Sequence, residues 1–227
     1  MTDRPEGQTH RPVNESPQSA HAPHSIILAS GSPRRRELLA RLGLPFNVVP
    51  SGAEEIVPVG LAPATVAEEL ACQKALAVAR HYPECTVVGA DTVVALAGPP
   101  SRIFGKPRDD VEAAAMLRAL RGRWHQVSTG IVVVCAGDMW RDTVTANVRM
   151  HAYSDDEIAR YVASGEPRDK AGAYAIQGLG GALVAEVRGS ELAVVGLPLR
   201  RLAELLVASG VDLPVEPATI VDAWHRG

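Results

Sequence analysis

The stretch from Ile26 to Leu39, Ile-Ile-Leu-Ala-Ser-Gly-Ser-Pro-Arg-Arg-Arg-Glu-Leu-Leu, constrains the fold of this chain more than any other. The apolar run Ile26 to Ala29 predicts a short buried strand. Gly31 supplies a turn, Ser32 suits a helix N-cap and Pro33 the first helical position. A helix start exposes unpaired N–H groups and the positive end of the helix dipole, so it attracts anions. Arg34, Arg35 and Arg36 put three cations on that same turn, where cations are disfavoured. An anionic ligand removes the conflict; so does a solvated face carrying the arginines. This segment alone does not choose between them.

Length and composition narrow the class. A chain of 227 residues can bury one large core or two lobes, and 46% hydrophobic with 22% charged residues is a globular balance. The net charge of −3 and the 4% share of aromatic residues argue against a nucleic-acid surface, so any anion site is local. Cys72, Cys85 and Cys135 are widely spaced and odd in number, which suits free thiols in a reducing compartment rather than a disulfide framework or a thiolate zinc site. Residues 1–24 hold four prolines and three histidines with no apolar core, so we expect a disordered leader rather than a secretory signal. No run reaches membrane-spanning length, and a cytoplasmic protein without a membrane partner is expected.

Along the chain, the first helix should end at Gly43 and Phe46 to Val49 should form a strand. Thr65 to Glu68 has capping-box spacing for a second helix reaching about Arg80 and carrying Lys74. Thr86 to Ala90 reads as a strand with Asp91 and Thr92 at its C-terminal end, followed by a hairpin of Val93 to Ala97 and Arg102 to Phe104 around Gly98-Pro99-Pro100. Asp109 or Asp110 caps a helix with Ala113, Met116, Leu117 and Leu120 on one face. Val127 to Cys135 and an alternating strand after Gly137 follow, then a helix opened by the capping box Ser154 to Glu157. Leu183 to Val187 and Ala193 to Val195 read as strands, and Pro198 opens the last helix. The expected fold is α/β, a mixed β-sheet flanked by helices.

Asp91 at the end of a buried strand can hold a divalent cation or take a proton from water, or simply serve as a turn residue. Glu54 and Glu55 matter only if the fold brings one of them to Asp91. Lys74 and Lys106 read as surface residues, although the turn Gly105 to Pro107 holds Lys106 so that it can offer a point charge to phosphate. The glycine-rich segment Asp169 to Gly181 permits close backbone approach to a ligand, and Gln177 within it can read a base edge through its paired donor and acceptor. A glycine hinge is the simpler account. His125, beside Trp124, reads as a partly buried structural histidine.

In order, these segments resemble the Maf family of nucleoside triphosphate pyrophosphatases. The matching words are Leu-Ala-Ser-Gly-Ser-Pro-Arg-Arg (28 to 35), Gly-Ala-Asp-Thr-Val-Val (89 to 94) and Gly-Lys-Pro (105 to 107). His-Gln-Val-Ser-Thr-Gly (125 to 130), Asp-Lys-Ala-Gly-Ala-Tyr-Ala-Ile-Gln-Gly (169 to 178) and Val-Gly-Leu-Pro-Leu (195 to 199) complete the set. The resemblance covers residues 26 to about 207, within an expected domain of 25–212 between tails 1–24 and 213–227.

It implies an elongated, two-lobed Maf/ITPase-like fold with a central cleft, often a homodimer, that hydrolyses a nucleoside triphosphate to the monophosphate and pyrophosphate with a divalent cation, Mg or Mn. The residue matching the family's proton acceptor is Asp91, with Glu55 helping to hold the cation. Ser30, Ser32, Arg35, Lys74, Lys106 and Lys170 are implied at the phosphates or substrate, and Arg34, Thr92 and Gln177 in substrate choice. The combination is similar to the branch acting on dTTP and UTP. A non-catalytic nucleotide-binding regulator of cell division is the alternative reading. Gln73 departs from a common glutamate, Glu54-Glu55 from a frequent Asp-Glu, and the hairpin around residues 98–102 carries extra residues.

Overall fold

The computed structural model describes residues 25–223 except 59, 99 and 100; the expected leader 1–24 and the prolines of the Gly98 turn lie outside the described residues. One seven-stranded mixed sheet runs through it. In chain order its strands are β1 (Ile26–Leu28), β2 (Phe46–Val48), β3 (Thr86–Leu96), β4 (Arg102–Phe104), β5 (Trp124–Cys135), β6 (Asp138–Met150) and β7 (Val184–Arg188). The spatial order is β2-β1-β3-β5-β6-β7, with β4 also on β3. β1 pairs parallel with β2 and β3; every other pairing is antiparallel.

The register explains where a cleft can open. On one edge of β3, β5 pairs continuously from Val87 to Ala95. On the other edge β1 covers Thr86 to Val88 and β4 covers Val94 to Leu96. Residues 89–93 are left without a strand neighbour on that side. Asp91 and Thr92 lie in this gap. They are therefore mid-strand, which corrects the expectation of a strand end, and the expected separate strand Val93 to Ala97 is the continuation of β3.

The helices are α1 (Pro33–Ala40), α2 (Pro63–Ala79), α3 (Asp110–Leu120), α4 (Asp155–Ala163), α5 (Glu191–Val195) and α6 (Leu199–Ala208). Buried residues of α1, α3, α4, α5 and α6 share one large apolar cluster with Val88, Ala90 and Val94 of β3. Ala71, Ala75 and Val78 of α2 pack with Val87 of β3 and with Val132 and Val134 of β5 on the opposite face. That approach is unusually close. A Cβ on Gly89 would stand 2.5 Å from the Ala71 carbonyl oxygen, and one on Gly130 would stand 2.4 Å from that of Ala67. Alanines on the helix facing glycines in the strands let α2 sink onto the sheet.

Local chemistry sets most boundaries. Asp109 caps α3 by accepting from the Glu112 N–H, and Ser154 with Glu157 closes a reciprocal capping box on α4. β5 and β6 join through Ala136 and Gly137 at φ 50° and 88°, the left-handed pair that a two-residue hairpin requires. Two expectations are corrected. Helix α2 starts at Pro63 behind Ala62 with no side-chain cap, so Thr65 and Glu68 form no capping box; proline pre-sets the first helical turn instead. Ala193 to Val195 belong to α5 and not to a strand, because Ser190 caps that turn by accepting from the Ala193 N–H. Beyond α6 the chain returns to the body: Asp222 accepts from Ser190 Oγ at 3.0 Å and from the Arg200 N–H at 3.1 Å. Among the described residues no helix is long and apolar enough to cross a membrane.

Candidate active site

A cleft of about 460 Å³ opens at the gap in the sheet. It is lined by Ser30, Ser32, Arg34 and Arg35 from the β1–α1 turn and by Glu55 from the following loop. Lys74 comes from α2, Asp91 and Thr92 from β3, and Lys106 from the turn after β4. Lys170 and Gln177 come from the glycine-rich segment. All eleven residues singled out from the sequence therefore meet in one place, across more than 140 positions of chain.

Because successive strand residues point to opposite faces, Asp91 and Thr92 organise two halves of the cleft. On the α2 face, the Lys74 ammonium bonds the Asp91 carboxylate and reaches Glu55 Oε1 at 2.8 Å. Asp91 itself is only 8% exposed. Burial alone pushes the Glu55 carboxyl up, but the Lys74 hydrogen bond and charge, with Lys106 and Arg35 beyond, outweigh it and hold Glu55 below the usual glutamate value. One ammonium thus serves two carboxylates.

On the other face, Thr129 Oγ1 donates to the Ala193 carbonyl at 2.7 Å, so it accepts from the Thr92 hydroxyl at 2.8 Å. The Thr92 oxygen in turn accepts from Arg35 Nη2 at 3.1 Å. Arg35 also donates from Nε to the Gly196 carbonyl at 2.9 Å and from Nη1 to Ser30 Oγ at 3.3 Å. The guanidinium is locked. Burial lowers its pKa, Asp91 raises it and Arg34 lowers it again, with a net downward shift. Arginine stays charged in proteins, so this is a partly desolvated cation.

Ser32 occupies the N-cap of α1 without its side chain capping anything; its N–H donates to Ser30 Oγ at 3.3 Å. Arg34 reaches over the cleft mouth to Asp169 at 3.4 Å. This pair is exposed and contributes at most about 1 kcal/mol. Lys170 is tied to its own loop, donating to Asp169 Oδ1 and to the Glu166 carbonyl, each at 2.6 Å. Among the described residues Lys106 pairs with no carboxylate, so its charge faces the cleft lining.

Three contributors were not singled out from the sequence. The carboxylate of Glu166 accepts from the N–H groups of Leu179 and Gly180, each at 3.0 Å, and from Tyr161 Oη at 3.0 Å, which fixes the backbone just after Gln177. Thr129 completes the relay from Thr92. Gln73, flagged only as a departure, bonds the main chain of Ile56. Thr129 lies in one of the words that carry the family resemblance, but its partners, like that of Gln73, are at least 17 positions away.

His125 is more deeply buried than expected, with Nε2 2.6 Å from the hydroxyl of Tyr174, a cleft-lining residue, and Nδ1 without a hydrogen-bond partner. Burial, only partly offset by the Arg123 backbone, pushes its pKa from 6.5 down to about 4. The folded protein therefore keeps His125 neutral while the unfolded chain takes up a proton below about pH 6.5. Stability from this site is complete above that pH and falls as the pH drops toward about 4, by about 3 kcal/mol in all. Urea midpoints of the parent and of His125→Gln at both ends of this window check it: the substitution should flatten the dependence, and an equally steep variant would remove His125 as its source.

The chemistry open to a hard cation is limited but suitable. Among the described residues no group of three His, Cys, Asp or Glu side chains gathers to cage a metal. Asp91 and Glu55 instead offer two convergent carboxylates, the donor number from which magnesium is commonly held together with waters and substrate phosphates. The cleft thus gathers five cationic side chains, a helix start and two carboxylates.

The chain belongs to the Maf-like protein family, which residues 25–209 match. Among its curated relatives are proteins named dTTP/UTP pyrophosphatase. That of Pelotomaculum thermopropionicum is 48% identical over 83% of this chain and 98% of its own length. That of Moorella thermoacetica is 50% identical, with shares of 83% and 96%. That of Oleidesulfovibrio alaskensis is 45% identical over 93% of this chain and 96% of its own length. Among solved structures, the Ham1 protein of Staphylococcus aureus aligns over 56% of this chain and 72% of its own at 18% identity, with a TM-score of 0.42.

Proposed function

We propose that this protein is a nucleoside triphosphate pyrophosphatase acting on dTTP and UTP, releasing the nucleoside monophosphate and pyrophosphate. The observation that carries it is the convergence of Asp91, Lys74 and Glu55 on one side of the cleft with Arg35 and Thr92 on the other. Asp91 accepts the proton of a water that attacks the α-phosphorus, and the bond to the β-phosphate oxygen breaks. Arg35, the start of α1 at Ser30 and Ser32, Lys74 and Lys106 balance the charge that collects on the phosphate oxygens. Glu55 and Asp91 are the residues that would hold a divalent cation, Mg or Mn, which when bound supplies charge neutralisation at the phosphates. Lys170 keeps the glycine-rich segment in place beside it.

Gln177, held at the cleft by the Glu166-anchored backbone, reads the pyrimidine edge together with Thr92 and Arg34. Gln177→Ala should reduce the preference for dTTP over GTP about tenfold, since a paired base edge contributes on the order of 1–3 kcal/mol. Unchanged ratios across a nucleotide panel would remove Gln177 from recognition.

Product analysis tests the whole reading: dTTP or UTP with magnesium or manganese should give monophosphate and pyrophosphate in equal amounts. Binding without turnover under every metal would favour a nucleotide-sensing regulator of cell division instead. The same reading includes a homodimer in the cytoplasm, supported by the family resemblance and checked by light scattering and fractionation.

A further inference from the structure

Glu55 stands on a segment, residues 49–62, whose described part has neither helix nor strand, and its neighbours Ile56 and Val57 are 70% and 54% exposed. Apolar burial therefore does not place it. The neighbouring contact does. Gln73 Oε1 accepts from the Ile56 N–H at 3.1 Å, while Gln73 Nε2 donates to the Ile56 carbonyl at 2.9 Å. The side-chain amide meets the main chain as one strand residue meets another, with both bonds exchanged. A primary amide offers donor and acceptor side by side in this way, which an ionised carboxylate does not.

Two consecutive residues of α2 thus grip two consecutive residues of the loop: Gln73 holds Ile56 and Lys74 holds Glu55. Gln73 itself does not line the cleft. Its helix is seated by the close contacts at Gly89 and Gly130, so the grip rests on a rigid support. We propose that Gln73 is a positioning residue: its amide clamps Ile56 and thereby presents Glu55 to the Lys74–Asp91 pair. The inference rests on the role given to Glu55 above and assigns what fixes it there.

The test compares Gln73→Ala, Gln73→Glu, Glu55→Ala and the double variant Gln73→Ala/Glu55→Ala in the full chain. Alanine preserves α2, being the best helix former. In Gln73→Ala, amide exchange at Ile56 should quicken at least about tenfold and dTTP turnover should fall about tenfold, the loss of two neutral hydrogen bonds. Gln73→Glu keeps one acceptor, loses the donor and aims a charge at the Ile56 carbonyl, so its Ile56 exchange should also quicken. In the Glu55→Ala background, removing Gln73 should cost no further turnover. Equal costs in both backgrounds would overturn the proposal, because a generally structural residue behaves that way. Unchanged Ile56 exchange would overturn the clamp itself. Parental turnover in Glu55→Ala would overturn both the role of Glu55 and what Gln73 does for it. If the parent turned over no triphosphate, the proposed function would fail while Ile56 exchange still judged the clamp.

Discussion

Asp91→Asn should leave a folded protein that barely turns over dTTP, with kcat reduced by about 10² to 10⁴ and KM little changed. The asparagine has the same shape, and its carbonyl oxygen can still accept from Lys74, so the buried ammonium keeps a partner in addition to Glu55. What it cannot do is take a proton. The melting temperature should stay within a few degrees of the parent, roughly 1 kcal/mol for a domain of this size. Steady-state kinetics with a melting curve on the same sample separates the outcomes. Parental turnover would transfer the base to another group. A large loss of stability would instead make Asp91 a residue of the core that happens to face a cleft.

The second large effect is on stability. Gly130→Ala should destabilise the protein by about 3 kcal/mol, the scale of overpacking a filled interior. The new methyl group would meet backbone atoms of Ala67 and Glu68 at 2.4 to 2.5 Å, and backbone inside a helix cannot turn aside as a side chain can. A melting point about 10 °C lower is expected. Gly105→Ala is the control, since a Cβ there meets nothing within 4 Å. Gly130 lies opposite Asp91 in the β3–β5 ladder, so displaced packing should also separate Lys74 from Asp91 and lower turnover in the protein that remains folded. A variant melting with the parent would mean that α2 sits farther from the sheet than described.

What the sequence made legible follows from how local the chemistry is. The Ser32-Pro33 start of α1, the Asp109 cap of α3 and the Ser154–Glu157 box of α4 each lie within a few residues, and each boundary was readable. The alternation along β6 was readable for the same reason: Ala146, Val148 and Met150 are buried while Thr145, Asn147 and Arg149 are exposed. The extent of β3 was not. A polar Asp-Thr pair inside an apolar run looks like a strand end; it is tolerated mid-strand because the gap between β1 and β4 opens the cleft there and because Lys74, Thr129 and Arg35 take up the two side chains. The site divides likewise. Arg35, Asp91, Thr92 and Gln177 sit in contiguous words that carry the family resemblance. Thr129 also sits in such a word, but the bonds that give Gln73, Thr129 and Glu166 their parts run mostly to partners 13 to 64 positions away, which spacing along the chain does not show.

The bond from Arg35 to the carbonyl of Gly196 spans 161 positions. During synthesis the ribosome releases the arginine-bearing turn long before the wall that will face it. A chain that stops short of Gly196 would lack the carbonyl that receives Arg35 Nε, so the guanidinium would keep only its bonds to Ser30 and Thr92. Splitting the gene anywhere between these two points would yield halves that must find each other before either can do anything.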